Sequence, residues 1–252
     1  MDLIAVSDEK FKLFEKKLFD RDRYRADAVK YERAYLREFG PLINKSYEAK
    51  IACIERKRVI AYCQRRVNKG QPIDARLLKE HAEKEMSTYR EKLKEMVDDY
   101  RKAKSGVKTT ASCALKVSSL YKKIAKKIHP DVHPETARNE ALLELWYRVA
   151  AAYQNNNLQE LEACEILLNV VLKQLGENVA PVCVPDVDQR IKDLEKEINE
   201  ILSTDPYQYK YLLEDATLVE EKKESLRREI EEYEAYKKQL DEIVASFHIY
   251  GE

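Results

Sequence analysis

The stretch Leu115–Tyr153, LKVSSLYKKIAKKIHPDVHPETARNEALLELWYRVAAAY, decides how this chain folds. Val117, Tyr121, Ile124 and Ile128 follow one another at spacings of four, three and four, so they share one face of a helix. Lys116, Lys122, Lys123, Lys126 and Lys127 fall on the rest of the circumference. The helix therefore has an apolar side for its own core and a basic side for something else. It stops at His129-Pro130-Asp131, because Pro130 disfavours helical geometry at His129 and donates no ladder hydrogen bond. Pro134 repeats the stop. A second helix is expected from about Glu135, with Leu142, Leu145, Trp146, Val149, Ala152 and Tyr153 on one face. Two amphipathic helices joined by a short, proline-bracketed loop predict an antiparallel pair with His129-Pro130-Asp131 exposed at its tip.

Outside this stretch the chain reads as more helix. Ser7-Asp8-Glu9-Lys10 offers an N-cap with acids in the first turn, and Gly40-Pro41 is expected to end the helix begun there. A second helix runs to about Asn68, where Gly70-Gln71-Pro72 stops it. A third, from about Ile73, carries Met86, Tyr89, Leu93, Met96 and Tyr100 as a stripe that must face another helix. These three are expected to fold back on one another as an N-terminal helical module, residues 1–104. A central helical segment built around the quoted stretch takes 105–175, and Gly, Asn and two prolines without periodicity mark a linker over 176–187. Residues 188–252 read as a helical hairpin broken at Asp205-Pro206. Ile191, Leu194, Ile198 and Ile201 form one seam, and Leu226, Ile230, Tyr233, Lys237, Leu240 and Val244 the other. The fold class expected is all-α, long helices and coiled-coil hairpins flanking a small helical module.

Composition agrees with that class and narrows function. Of 252 residues, 37% are charged while Gly numbers only 5 and Pro 7, a profile of long helices. Lys plus Arg equals Asp plus Glu at 46 each, so no overall field draws nucleic acid or an anionic membrane. The balance is uneven along the chain, with no carboxylate between Arg101 and Pro130 and acids predominating from Glu135 to Glu165. Cys53, Cys63, Cys113, Cys164 and Cys183, with no C-x-x-C pair, read as reduced thiols of a cytoplasmic protein. Met1 to Lys17 lacks an apolar signal region, and no apolar run is long enough to span a bilayer.

The central stretch resembles a J domain. His129-Pro130-Asp131 is that family's signature tripeptide, and Tyr121 to Asp131 reads like its second helix, with the Tyr eight residues before the His and a lysine-rich outer face. On the following helix Trp146 stands where the family has Phe, Val149 where it has Ile, and Ala152-Tyr153 match its Ala-Tyr pair. The resemblance spans Val107 to Leu175. Of the family's first helix only Ser105-Gly106-Val107 is recognisable, and a longer apolar helix, Leu158 to Leu175, replaces its short last one. No Gly/Phe-rich or C-x-x-C zinc region follows, which resembles the class that carries the J module alone.

The resemblance implies a co-chaperone. Its basic helix would dock on an acidic surface of an ATP-bound 70-kDa heat-shock chaperone, its His-Pro-Asp loop would reach the junction of that partner's domains, and the partner's ATPase would accelerate. The residues so implied are His129, Pro130, Asp131, Tyr121, Lys122, Lys123, Lys126 and Lys127. Lysines free of neighbouring carboxylates steer association, and Asp131 suits charge-assisted hydrogen bonds from a partner arginine. The helical arms would hold a client protein or form a homo-oligomer through the coiled coil.

Plainer readings stand beside these. His-Pro-Asp is also an ordinary interhelical turn, the lysine face an ordinary solvated surface, and the whole chain a coiled-coil scaffold with an inactive J-like fold. A basic stretch from Arg101 to Lys127 suggests nucleic acid, but no aromatics interleave with the exposed lysines, so no nucleic-acid partner is expected. His129 and His133, four apart, suggest a metal, but Pro130 and Pro134 break the helix such a pair needs and no third ligand is evident. Neither a phosphate-cradling loop nor a nucleophile motif is present, so no enzyme and no cofactor are expected.

Overall fold

A computed structural model of the chain describes residues 8–105, 111–175 and 186–250. Ser7, Gly106 and Val107, and residues 176–185 of the expected 176–187 linker, Cys183 among them, lie outside the described residues. The fold is all-α: α1 (Asp8–Asn68), α2 (Ala75–Ser105), α3 (Ala111–Ile128), α4 (Glu140–Gln154), α5 (Leu158–Leu175), α6 (Val187–Ser203), α7 (Tyr209–Glu214) and α8 (Ala216–Ala245). A 3₁₀ turn at Thr136–Arg138 precedes α4, and two-residue strands β1 (Ile73–Asp74) and β2 (Ile249–Tyr250) pair in parallel, Ile73 opposite Ile249. No described helix is long and apolar enough to cross a membrane.

The contacts group residues Met1–Glu32 with Val107–Tyr209 and residues Arg33–Gly106 with Lys210–Glu252. This differs from the sequence-based division at 104, 175 and 187, because α1 contributes its first part to one unit and its second part to the other. The expected break at Gly40-Pro41 does not occur, and α1 runs unbroken through it, 61 residues in all. Pro41 forfeits one backbone hydrogen bond, but Phe39 beside it is fully buried and holds the helix by packing. Gly40 is there for close approach. A Cβ on it would lie 2.7 Å from Tyr100 Cδ2 and 3.4 Å from Tyr100 Cβ, so the ring cannot simply swing away. Alanine in a helix interior normally stabilises by about 1 kcal/mol over glycine. Gly40→Ala should instead destabilise by about 1–2 kcal/mol through overpacking, and a thermal melt of the variant checks the sign.

In the second unit α2 runs antiparallel to the end of α1, with Arg90 on Glu55 at 2.9 Å and the rings of Tyr62 and His81 4.9 Å apart. The predicted stripe is found, Met86 buried and Tyr89, Leu93, Met96 and Tyr100 half-buried. There α8 runs parallel to α1, Arg56 meeting Asp241 at 2.7 Å and the Cys53 thiol donating to the Tyr233 carbonyl at 3.2 Å. Its seam faces inward as expected, with Leu226, Ile230 and Leu240 buried. The α6 seam belongs to the other unit, where Ile191 and Leu194 pack on Phe14 and Leu18 of α1.

In the first unit α3, α4 and α5 form a three-helix bundle. Val117, Tyr121, Ile124 and Ile128 of α3 meet Leu142, Leu145, Trp146, Val149 and Ala152 of α4 and Leu161, Cys164 and Leu168 of α5. Each valine, leucine and isoleucine among them contributes roughly 1.5–3 kcal/mol on leaving water. α4 starts at Glu140, not at Glu135, because extended Asn139 caps it, its side chain accepting from Leu142 N at 3.2 Å.

Candidate functional site

The joint between α3 and α4 begins with His129. Its backbone N–H still donates to the Ala125 carbonyl at 2.8 Å, and Asp131 N–H donates back to His129 Nδ1 at 3.1 Å. That bond makes Nδ1 an acceptor and puts the ring proton on Nε2, which lies 3.3 Å from Asp22 Oδ2. The Trp146 ring closes over the imidazole, centroids 4.4 Å apart. His133 ends α3 by donating from Nε2 to the Lys126 carbonyl at 2.8 Å, while its Nδ1 faces Glu135 at 3.0 Å. Both histidines are thereby committed to protein partners. Among the described residues no group of three or more His, Cys, Asp or Glu is placed to hold a metal.

The exposed tip foreseen for His129-Pro130-Asp131 is found only in part: His129 is only 3% exposed, while Pro130 and Asp131 are half-buried. α1 covers it. Arg21 donates from Nε and Nη2 to Asp22 Oδ1 at 3.0 and 2.9 Å and from Nη1 to Asp131 Oδ2 at 3.0 Å. The Tyr121 hydroxyl donates to Asp22 Oδ2 at 2.7 Å, so Asp22 gathers Arg21, Tyr121 and His129. Arg190 of α6 adds a contact to the Asp131 carbonyl at 3.3 Å. The loop's Val132 is buried with Phe14, Leu18, Val187, Ile191 and Leu194, so the tip is seated between α1 and α6 by apolar packing as well.

The electrostatics follow from burial and pairing. Burial alone would raise the Asp22 carboxyl, but the His129 hydrogen bond, the Arg21 charge and the Tyr121 hydroxyl overcome it and bring the group down to about 2. Burial, then the Asp22 charge beside it, pushes the Tyr121 phenol up. Burial works against the Arg21 cation, and the charges of Asp22 and Asp131 outweigh it, raising the group. The Asp131 side chain remains 40% exposed. It lines a cleft of about 250 Å³ with Arg21, Arg25, Trp146 and Tyr153.

All five lysines of α3 are exposed. Lys123 pairs with Glu165 of α5 at 2.6 Å and Lys126 with Glu15 of α1 at 3.1 Å, while the Lys122 ammonium sits 5.9 Å from the Phe19 ring centre. Lys116 and Lys127 have no ion-pair partner within 4.0 Å among the described residues. Tyr121 is not a surface contact residue: it is 3% exposed, stacked on Tyr153 at 4.0 Å, and holds Asp22.

Sequence reasoning missed Arg21 and Asp22. A signal existed in the spacing of Phe11, Phe14 and Leu18, whose apolar stripe runs directly into Arg21-Asp22 at the next inward position. Charges of opposite sign continuing an apolar seam mark a buried pair. Comparison of the chain with family models, with curated proteins and with solved structures gives no match.

Proposed function

We propose that the α3–α4 joint is the docking element of a J-type co-chaperone, which binds an ATP-loaded 70-kDa heat-shock chaperone and accelerates its ATP hydrolysis without chemistry of its own. The observation that carries this reading is the geometry of the tripeptide. His129 is fixed in place by Trp146 and by the Asp131 amide, and the Asp131 carboxylate, part-exposed beside a row of exposed lysines, already accepts an arginine. A carboxylate held so that it takes a guanidinium is what an arginine-bearing partner needs. The lysine row supplies the long-range attraction to an acidic surface, and any effect on hydrolysis is allosteric. The second unit, with its long helices, would carry the client or a second copy of the chain.

Lys127 is the cleanest probe, because it is exposed and has no ion-pair partner among the described residues. Lys127→Glu should weaken binding to the ATP-loaded chaperone about tenfold, or ~1.4 kcal/mol, while the thermal melt is unchanged. Titration of labelled chaperone at two salt concentrations measures this. Binding that ignores both Lys127→Glu and salt would overturn the reading.

The burial of His129 and the Arg21–Asp131 pair favour a second reading, in which the tripeptide is an internal joint of a helical scaffold and has no partner. In that case no arm of the titration binds.

A further inference from the structure

We infer that residues Phe11–Arg25 of α1 are a built-in competitor for the docking face, so that the intact chain holds its J module latched until a chaperone displaces them. This rests on the reading under Proposed function and goes beyond it by assigning regulation to the same face.

Three contacts carry it, and each puts α1 where a partner would go. Glu15 lies on Lys126 at 3.1 Å, where an acidic partner residue would pair with the lysine. The Phe19 ring lies under Lys122, covering that part of the lysine face. Arg21 occupies the Asp131 carboxylate at 3.0 Å, where a partner arginine would bind. One face cannot carry two occupants, so α1 and the chaperone exclude each other there. The segment is anchored on its other side by Phe14 and Leu18 against Ile191 and Leu194, with Lys10 on Asp188 at 2.6 Å and Lys17 on Glu195 at 2.7 Å. α6 thus acts as the splint that keeps the competitor in register. Affinity for the chaperone is then lowered by the fraction of molecules whose face is open.

The test uses the full chain and a double variant, Glu15→Lys with Phe19→Ala, which alters α1 and leaves every residue of the docking face in place. Circular dichroism checks that the variant folds. Amide hydrogen exchange is followed with and without ATP-loaded chaperone, and binding is titrated in parallel. A working latch gives added protection over 121–133 together with faster exchange over 11–25, and about tenfold tighter binding by the variant. Protection over 121–133 with 11–25 unchanged and no gain in the variant would overturn the latch and leave the co-chaperone reading standing. Binding by neither chain, in the presence of a chaperone that responds to another J protein, would overturn both.

Discussion

Asp22→Ala is expected to lower the unfolding free energy of the unit that contains α3–α5 by about 3 kcal/mol, because it leaves buried Arg21 without its nearest counter-charge. Arg21 keeps Asp131 at 3.0 Å and Glu197 at 3.7 Å, which holds the loss at the lower end for a broken buried pair. Asp22 also accepts from Tyr121 and lies 3.3 Å from His129, so the variant orphans two further groups. Trp146 is the only tryptophan and sits over His129, so its fluorescence during urea unfolding reports on this unit. The same residue sets an acid dependence. The folded Asp22 carboxyl lies at about 2, below its ordinary 3.8. Its contribution, about 2 kcal/mol, is therefore fully present above pH 3.8 and is lost as pH falls through 2. Asp22→Asn should flatten stability across that window, and a variant as acid-sensitive as the parent would contradict the pairing.

Trp146→Ala should cost about 3–5 kcal/mol, the range for deleting a large buried aromatic. The residue is only 8% exposed, and its ring lies 5.9 Å from that of Tyr121 as well as 4.4 Å from that of His129. Trp146→Phe keeps an aromatic wall against the imidazole and should cost about 1 kcal/mol. Circular dichroism melts distinguish the two. The comparison separates packing from docking, since Trp146→Phe should also leave chaperone binding unchanged. Equal losses in both variants would mean that the indole does more than fill space.

The α3–α4 pair was legible because local rules govern it. The four-three-four spacing of Val117, Tyr121, Ile124 and Ile128 and the prolines at 130 and 134 specify two amphipathic helices and a joint, and the bundle core has those residues inside. The seams of α2 and α8 were legible for the same reason. What escaped was decided between distant parts of the chain. Gly40-Pro41 has every local mark of a stop, yet Phe39 and the close approach of Tyr100 keep α1 running through it. The α6 seam has the period of a hairpin partner, and periodicity does not say that Phe14 and Leu18, more than 170 residues earlier, are what it meets. The burial of His129 has the same origin. Nothing near the tripeptide in sequence indicates that Arg21 and Asp22 cover it.

Single-turnover ATP hydrolysis by a 70-kDa heat-shock chaperone decides whether the joint is a docking element, with the intact chain compared to Asp131→Asn and His129→Gln, each also made in the Glu15→Lys/Phe19→Ala background. Stimulation by the intact chain is expected, with stronger stimulation by the α1 variant and loss of both on either change in the tripeptide. A chaperone that responds to an authentic J protein but is untouched by every one of these chains would contradict the proposed docking, and the His129-Pro130-Asp131 joint would then be a packing element alone.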